Sequence, residues 1–115
     1  MARALESLNV AELLAHYASG FQFVDVAAGL TITDREELRR YYEALFSMPE
    51  VGFGEVAMFE DGRGNGAGEW VWSGLGRDGD RFRVKGCSIF TLDGTGIVRE
   101  AIYYKPPTAR ADPMS

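Results

Sequence analysis

Hydrophobic residues keep a helical spacing, with one interruption, as far as Ser47, and change to alternation from Val51 onward. Ala2 to Leu8 predicts a short helix. Asn9 then supplies an N-cap for a second helix, with Glu12 at its third position, where a carboxylate favours the helix dipole. Val10, Leu13, Leu14 and Tyr17 stand at i, i+3, i+4 and i+7 and make that helix's buried stripe. His16 falls on the flank. It reads as a half-exposed imidazole, with a role in a pocket as the alternative.

The interruption is Tyr17-Ala-Ser-Gly-Phe-Gln-Phe-Val-Asp25. It reads as a helix end, a tight turn at Gly20 and a strand. Phe21, Phe23 and Asp25 alternate with Gln22 and Val24, so two aromatics and a carboxylate share one face of the pleat. A carboxylate on an apolar face is costly to ionise. Asp25 is therefore either a general acid or base, or a strand-end Asp that caps the following loop.

A turn at Ala28-Gly29 and a very short strand lead to Thr33-Asp-Arg-Glu36, which reads as a capping box. The helix it opens runs to about Ser47, and Pro49 ends it. Leu38, Tyr41, Tyr42, Leu45 and Phe46 form its apolar stripe. Four strands follow. The first alternates Phe53, Glu55, Ala57 and Phe59 with Gly54, Val56 and Met58. Ala67–Gly74 puts Trp70 and Trp72 on one face. Arg81–Leu92 sets Phe82, Val84, Gly86, Ser88 and Phe90 against Arg83, Lys85, Cys87, Ile89 and Thr91. Ile97–Lys105 ends at Pro106-Pro107. Turns at Asp61–Gly66, Gly76–Asp80 and Asp93–Gly96 join them. The glycines at 62, 64 and 66 precede no helix, so they are not a phosphate-binding loop. Helices first and a strand meander after predict an α+β fold. The sheet, long and twisted, curls over the helices to enclose a conical apolar cavity. Residues 1–107 read as one domain and 108–115 as a loose polar tail.

Composition narrows the chemistry. The 115 residues are 46% hydrophobic and include seven Phe, five Tyr and two Trp, enough large rings to line a cavity. The net charge is −5 with no basic run, which argues against nucleic acid and anionic membranes. Cys87 is the one cysteine and His16 the one histidine, so neither an internal disulfide nor a zinc site is expected. No apolar run reaches the ~18 residues of a membrane span, and the first residues lack a signal-peptide core. The expectation is a cytoplasmic protein.

Four stretches resemble the nuclear transport factor 2-like superfamily, in its group of SnoaL-like polyketide cyclases and ketosteroid isomerases. They are His16–Asp25, Thr33–Leu45, Glu69-Trp-Val-Trp-Ser-Gly74, and Gly86–Glu100 running on to Tyr103-Tyr104. The resemblance implies a cone-shaped sheet, antiparallel or mixed, packed on N-terminal helices. It implies Asp25 as the general base inside the cone, and no cofactor. The isomerases' second acid falls on Ser88, and Lys105 follows the last aromatic pair where cyclases commonly carry Asp or Gln. The implied reaction is isomerisation or cyclisation of a hydrophobic carbonyl compound. Asp25 would move the proton, and Ser88 and Tyr42 would offer hydroxyl donors to the developing enolate.

Tyr17, Phe23, Phe46, Trp70, Trp72, Phe82, Phe90 and Tyr103 are the expected pocket lining. Parity on the last strand stays open. Ala101, Tyr103 and Lys105 point inward if the isomerase pattern holds, and Val98, Ile102 and Tyr104 if apolarity decides. Two other readings share the fold. One is a non-catalytic module for a hydrophobic ligand. The other is a degenerate cone with its pocket filled, whose sheet serves as a homodimer face with Val71, Ile89, Val98 and Ile102 on its outer side.

Overall fold

The structure, a computed structural model, describes residues 1–107. Two short helices come first, α1 (Ala2–Glu6) and α2 (Val10–Leu14). The Asn9 side chain accepts from the Glu12 backbone N–H at 3.0 Å, which is the expected cap. The helix stops three residues before Tyr17. Tyr17 instead begins strand β1 (Tyr17–Asp25), so there is no turn at Gly20. The departure is a register irregularity between Tyr17 and Gln22, where β1 pairs with the last strand. Beyond it the alternation holds: Phe21, Phe23 and Asp25 are buried while Gln22 is exposed.

Strand β2 (Leu30–Ile32) folds back antiparallel on β1 through a turn in which Gly29 has φ +65°. Helix α3 (Arg35–Phe46) starts one residue later than the capping box placed it. Asp34 is the N-cap, accepting from the Glu37 N–H at 3.0 Å. Arg35 then reaches back to the carbonyls of Leu14 and Tyr17, at 2.7 and 2.8 Å, and ties the helix to the α2–β1 junction. Leu38 and Tyr42 are the buried core of the α3 stripe.

The remaining strands are β3 (Gly52–Glu60), β4 (Asn65–Leu75), β5 (Arg81–Asp93) and β6 (Gly96–Tyr104). The sheet order is β2-β1-β6-β5-β4-β3. Every pairing is antiparallel except β1 with β6, so the sheet is mixed. The parallel pair follows from the connection, since α3 and four strands intervene between the two neighbours. The simple alternation expected of β3 breaks at Glu55, whose φ is +52°, between the pairings of Gly54 and Ala57. The result exposes Phe59 and turns Phe53 and Met58 toward the core. The inner face of the curled sheet packs with α1, α2 and α3 around one hydrophobic core.

The outer face differs from the expected dimer surface. Ile102 points inward and Val71 is buried, whereas Ile89 is 48% exposed and Val98 half-buried. The expected tail, 108–115, lies outside the described residues. Among the described residues, no helix is long and apolar enough to cross a membrane.

Candidate functional site

Between α1, α3 and the inner face of the sheet lies a cavity. It has about 60 Å³ of room for the centres of water-sized molecules, well above the ~10–15 Å³ that one water needs. Phe23, Tyr41, Tyr42, Phe53, Trp70, Trp72, Ile102 and Tyr104 supply most of its wall, with Met1, Leu5, Leu45 and Met58. Ser88 and Glu100 are its polar members. No Lys or Arg is among these residues. One glycine makes the wall possible. A Cβ on Gly86 would sit 2.3 Å from the Trp70 ring, so only glycine lets Trp70 lie across β5.

Asp25 is 2% exposed and closes β1 just behind this wall. Its Oδ2 accepts from the Tyr41 hydroxyl at 2.8 Å and from the Tyr104 hydroxyl at 2.9 Å. Its Oδ1 accepts from the Ala28 N–H at 3.1 Å. Asp25 therefore caps the loop without turning outward, because its side chain faces the core. The two phenols line the cavity and stand between it and the carboxylate. Burial and the Asp25 charge push both phenols well above the ordinary tyrosine range, so they stay neutral donors.

Glu100 is the residue that sequence reasoning missed. It is 3% exposed, in mid-β6, paired in register with Phe23 on one side and Phe90 on the other. Tyr17 donates its hydroxyl to Glu100 Oε1, and Tyr42 and Tyr17 share a hydroxyl contact of 2.7 Å. Ser88 also hydrogen-bonds Glu100 and accepts from the Trp70 indole N–H at 3.0 Å. Because Tyr17 spends its proton on Glu100, Tyr42 must donate to Tyr17. Because Trp70 occupies the Ser88 oxygen, the Ser88 proton is free for Glu100. Two donor chains therefore converge on one carboxyl. Burial nevertheless wins over these hydrogen bonds and pushes Glu100 up to about 7. The signal was present in the sequence, since Glu100 shares parity with the apolar Val98, Ile102 and Tyr104.

The expected site residues divide accordingly. Phe23, Tyr42, Trp70, Trp72 and Ser88 form the cavity wall. Tyr17, Phe46, Phe82 and Phe90 do not reach it. Tyr17 lies behind Glu100, Phe46 packs on Tyr42, and Phe82 packs edge-on against Trp72. Phe90 faces a second depression beside His16. Tyr103 is a correction: it is 44% exposed on the outer face, paired with Cys87. Apolarity decided the β6 parity, and Tyr104 takes the inward place. The Trp72 indole N–H is buried and finds no acceptor among the described residues. Nor do the described residues bring three His, Cys, Asp or Glu together as metal ligands.

The model of the SnoaL-like domain matches residues 1–100. The chain belongs to the SnoaL-like domain family. Solved structures agree on the fold. A Catenulispora acidiphila protein of ketosteroid isomerase-like fold, in complex with trimethylamine, superposes with a TM-score of 0.76. It is 24% identical, over 90% of this chain and 81% of that one. A candidate polyketide cyclase of Xanthomonas campestris gives a TM-score of 0.76 at 16% identity, over 90% and 83% of the two chains. A nuclear transport factor 2-like protein of unknown function from Cytophaga hutchinsonii gives 0.73 at 10%, over 90% and 92%. At these identities the likeness establishes the fold and no activity. No curated protein matches the chain.

Proposed function

We propose that this SnoaL-like protein is an enzyme that moves a proton beside the carbonyl of a small hydrophobic molecule, as an isomerase or a cyclase. The observation behind the reading is the Asp25 carboxylate, buried at the cavity wall under two neutral phenols. Tyr104 is the less buried of the two. A ligand that displaces the Tyr104 hydroxyl opens a lone pair of Oδ2 toward its α-carbon. Tyr41 and the Ala28 N–H keep the carboxylate oriented meanwhile. The Trp72 N–H, which has no acceptor among the described residues, favours a ligand that carries an oxygen acceptor. Apolar walls favour a ligand that is otherwise hydrocarbon.

The test needs no knowledge of the natural substrate. The protein should catalyse deuterium incorporation at the α-carbon of 2-tetralone in D₂O above the buffer rate, read by proton NMR. Asp25→Asn should cut that rate ~100-fold or more while the variant still melts cooperatively. An unchanged rate in the variant would remove Asp25 from the chemistry.

A second reading has its own observation. Asp25 already holds three donors and does not itself form the cavity wall, as a purely positional anchor would. A non-catalytic module for a hydrophobic ligand would bind 2-tetralone with no exchange, and Asp25→Asn would change its affinity only a few-fold.

A further inference from the structure

Asp25, behind the cavity wall, is not the only buried carboxyl at this end of the fold. We propose that Glu100 is a second catalytic residue of the same cavity, a general acid that gives its proton to the ligand's carbonyl oxygen. This rests on the reading above that the ligand is a carbonyl compound, and it deepens it.

Placement comes first. Glu100 lines the cavity itself, whereas Asp25 lies behind its phenols. The two sit on neighbouring strands and the same face. In the β1–β6 register Asp25 stands opposite Ile102, and Phe23 opposite Glu100. The carboxyls are thus one strand and two residues apart, roughly 7 Å along the strand direction. That offset suits groups acting on different atoms of one ligand.

The surroundings come second. From β1, Glu100 meets Tyr17 and the more distant Asp25. Ser88 faces it from β5, Tyr42 and Tyr41 from α3, and Tyr104 from its own strand. The amino group of Met1 is the one cationic group on the residues of the wall. Arg99, next in sequence, turns outward to Gln22. Glu100 therefore has no ion-pair partner among the described residues, and burial disfavours its charged form. Burial holds it protonated up to about pH 7, within reach of a working acid. The convergent donors from Tyr17 and Ser88 then stabilise the carboxylate left after the proton departs.

The step balances. Asp25 takes the α-proton as the C–H bond breaks. The C–H electron pair forms the C=C bond, the carbonyl π pair moves to oxygen, and that oxygen takes the Glu100 proton. A neutral enol, a protonated Asp25 and an ionised Glu100 result. Return of a proton to carbon from Asp25, and of the enol proton to Glu100, restores both groups.

The experiment follows 2-tetralone labelled with carbon-13 at the carbonyl, bound to the protein between pH 5 and 9. Deuterium incorporation is measured in parallel. In the wild type the bound carbonyl resonance should lie downfield below pH 7 and move back as pH rises through about 7, when the acidic donor is lost. Glu100→Gln should abolish that step and slow incorporation ~100-fold. A wild-type resonance that ignores pH, or a step that survives in Glu100→Gln, would overturn the assignment, as would unchanged incorporation in that variant. If the step is present but no deuterium enters, the donor role stands and proton abstraction by Asp25 falls. If labelled ketone does not bind at all, both fall.

Discussion

Asp25 and Glu100 are two buried carboxyls, one behind the cavity wall and one in it, and they are held differently because of where each sits on its strand. Asp25 is the last residue of β1. The chain turns there, so a backbone N–H from the loop, that of Ala28, is free to reach it, in addition to two phenols. Glu100 lies in mid-β6 between two paired neighbours, so the surrounding backbone N–H groups belong to the ladder. Its donors can come only from side chains, here Tyr17 and Ser88. A strand end can supply a carboxylate with main-chain donors, and a strand centre cannot. With side-chain donors alone, Glu100 does not offset the cost of burial, and it holds a proton up to about pH 7.

The largest effect expected on this contrast comes from Asp25→Leu. It strands the Tyr41 and Tyr104 hydroxyls and the Ala28 N–H, and should cost roughly 3–5 kcal/mol, read as a lowered urea midpoint.

Glu100→Gln should do the opposite. An acid raised from 4.5 to about 7 in the folded state binds protons more tightly folded than unfolded. Its stabilising influence is whole below pH 4.5 and is lost as pH rises through about 7. The glutamine variant should therefore exceed the wild type by about 3 kcal/mol at pH 8, with the gap closing toward pH 4.5. Urea unfolding at several pH values checks this, and equal curves would remove the contrast.

Gly86→Ala drives a methyl into the Trp70 ring and pulls the indole from Ser88. A loss of roughly 1–3 kcal/mol should accompany a further rise of Glu100, seen by carboxyl carbon NMR. The smallest change is Tyr104→Phe, which removes one of three donors to Asp25. It should lower stability by about 1 kcal/mol and leave the Glu100 titration where it was.

Much of this protein was legible before folding was considered. The Asn9 cap, the α3 stripe, the hairpin turns and the paired tryptophans of β4 are local patterns, each confined to a few residues. The alternation of Phe21, Phe23 and Asp25 put the carboxylate on the aromatic face of the strand and left open whether it turned outward to cap the loop. Errors fell where local signals compete. Thr33 and Asp34 both suit a helix cap, and the folded chain uses Asp34. A bulge at Glu55 shifted one strand's parity, because an extra residue has no signature in an alternating pattern.

What the sequence determined by itself is the element order, the faces of most elements, and the place of one carboxylate at a strand end. Those follow from backbone periodicity and turn chemistry, which act over a few residues. Only the tertiary structure decided the parity of β6, and with it the inward Glu100 and Tyr104 and the outward Tyr103. It alone brought Tyr41 and Tyr104 to Asp25 across 16 and 79 residues of chain, and Tyr17 to Glu100 across 83. Burial, and the proton affinity that burial sets, depends on which distant segments exclude water from a group. No local pattern carries that information.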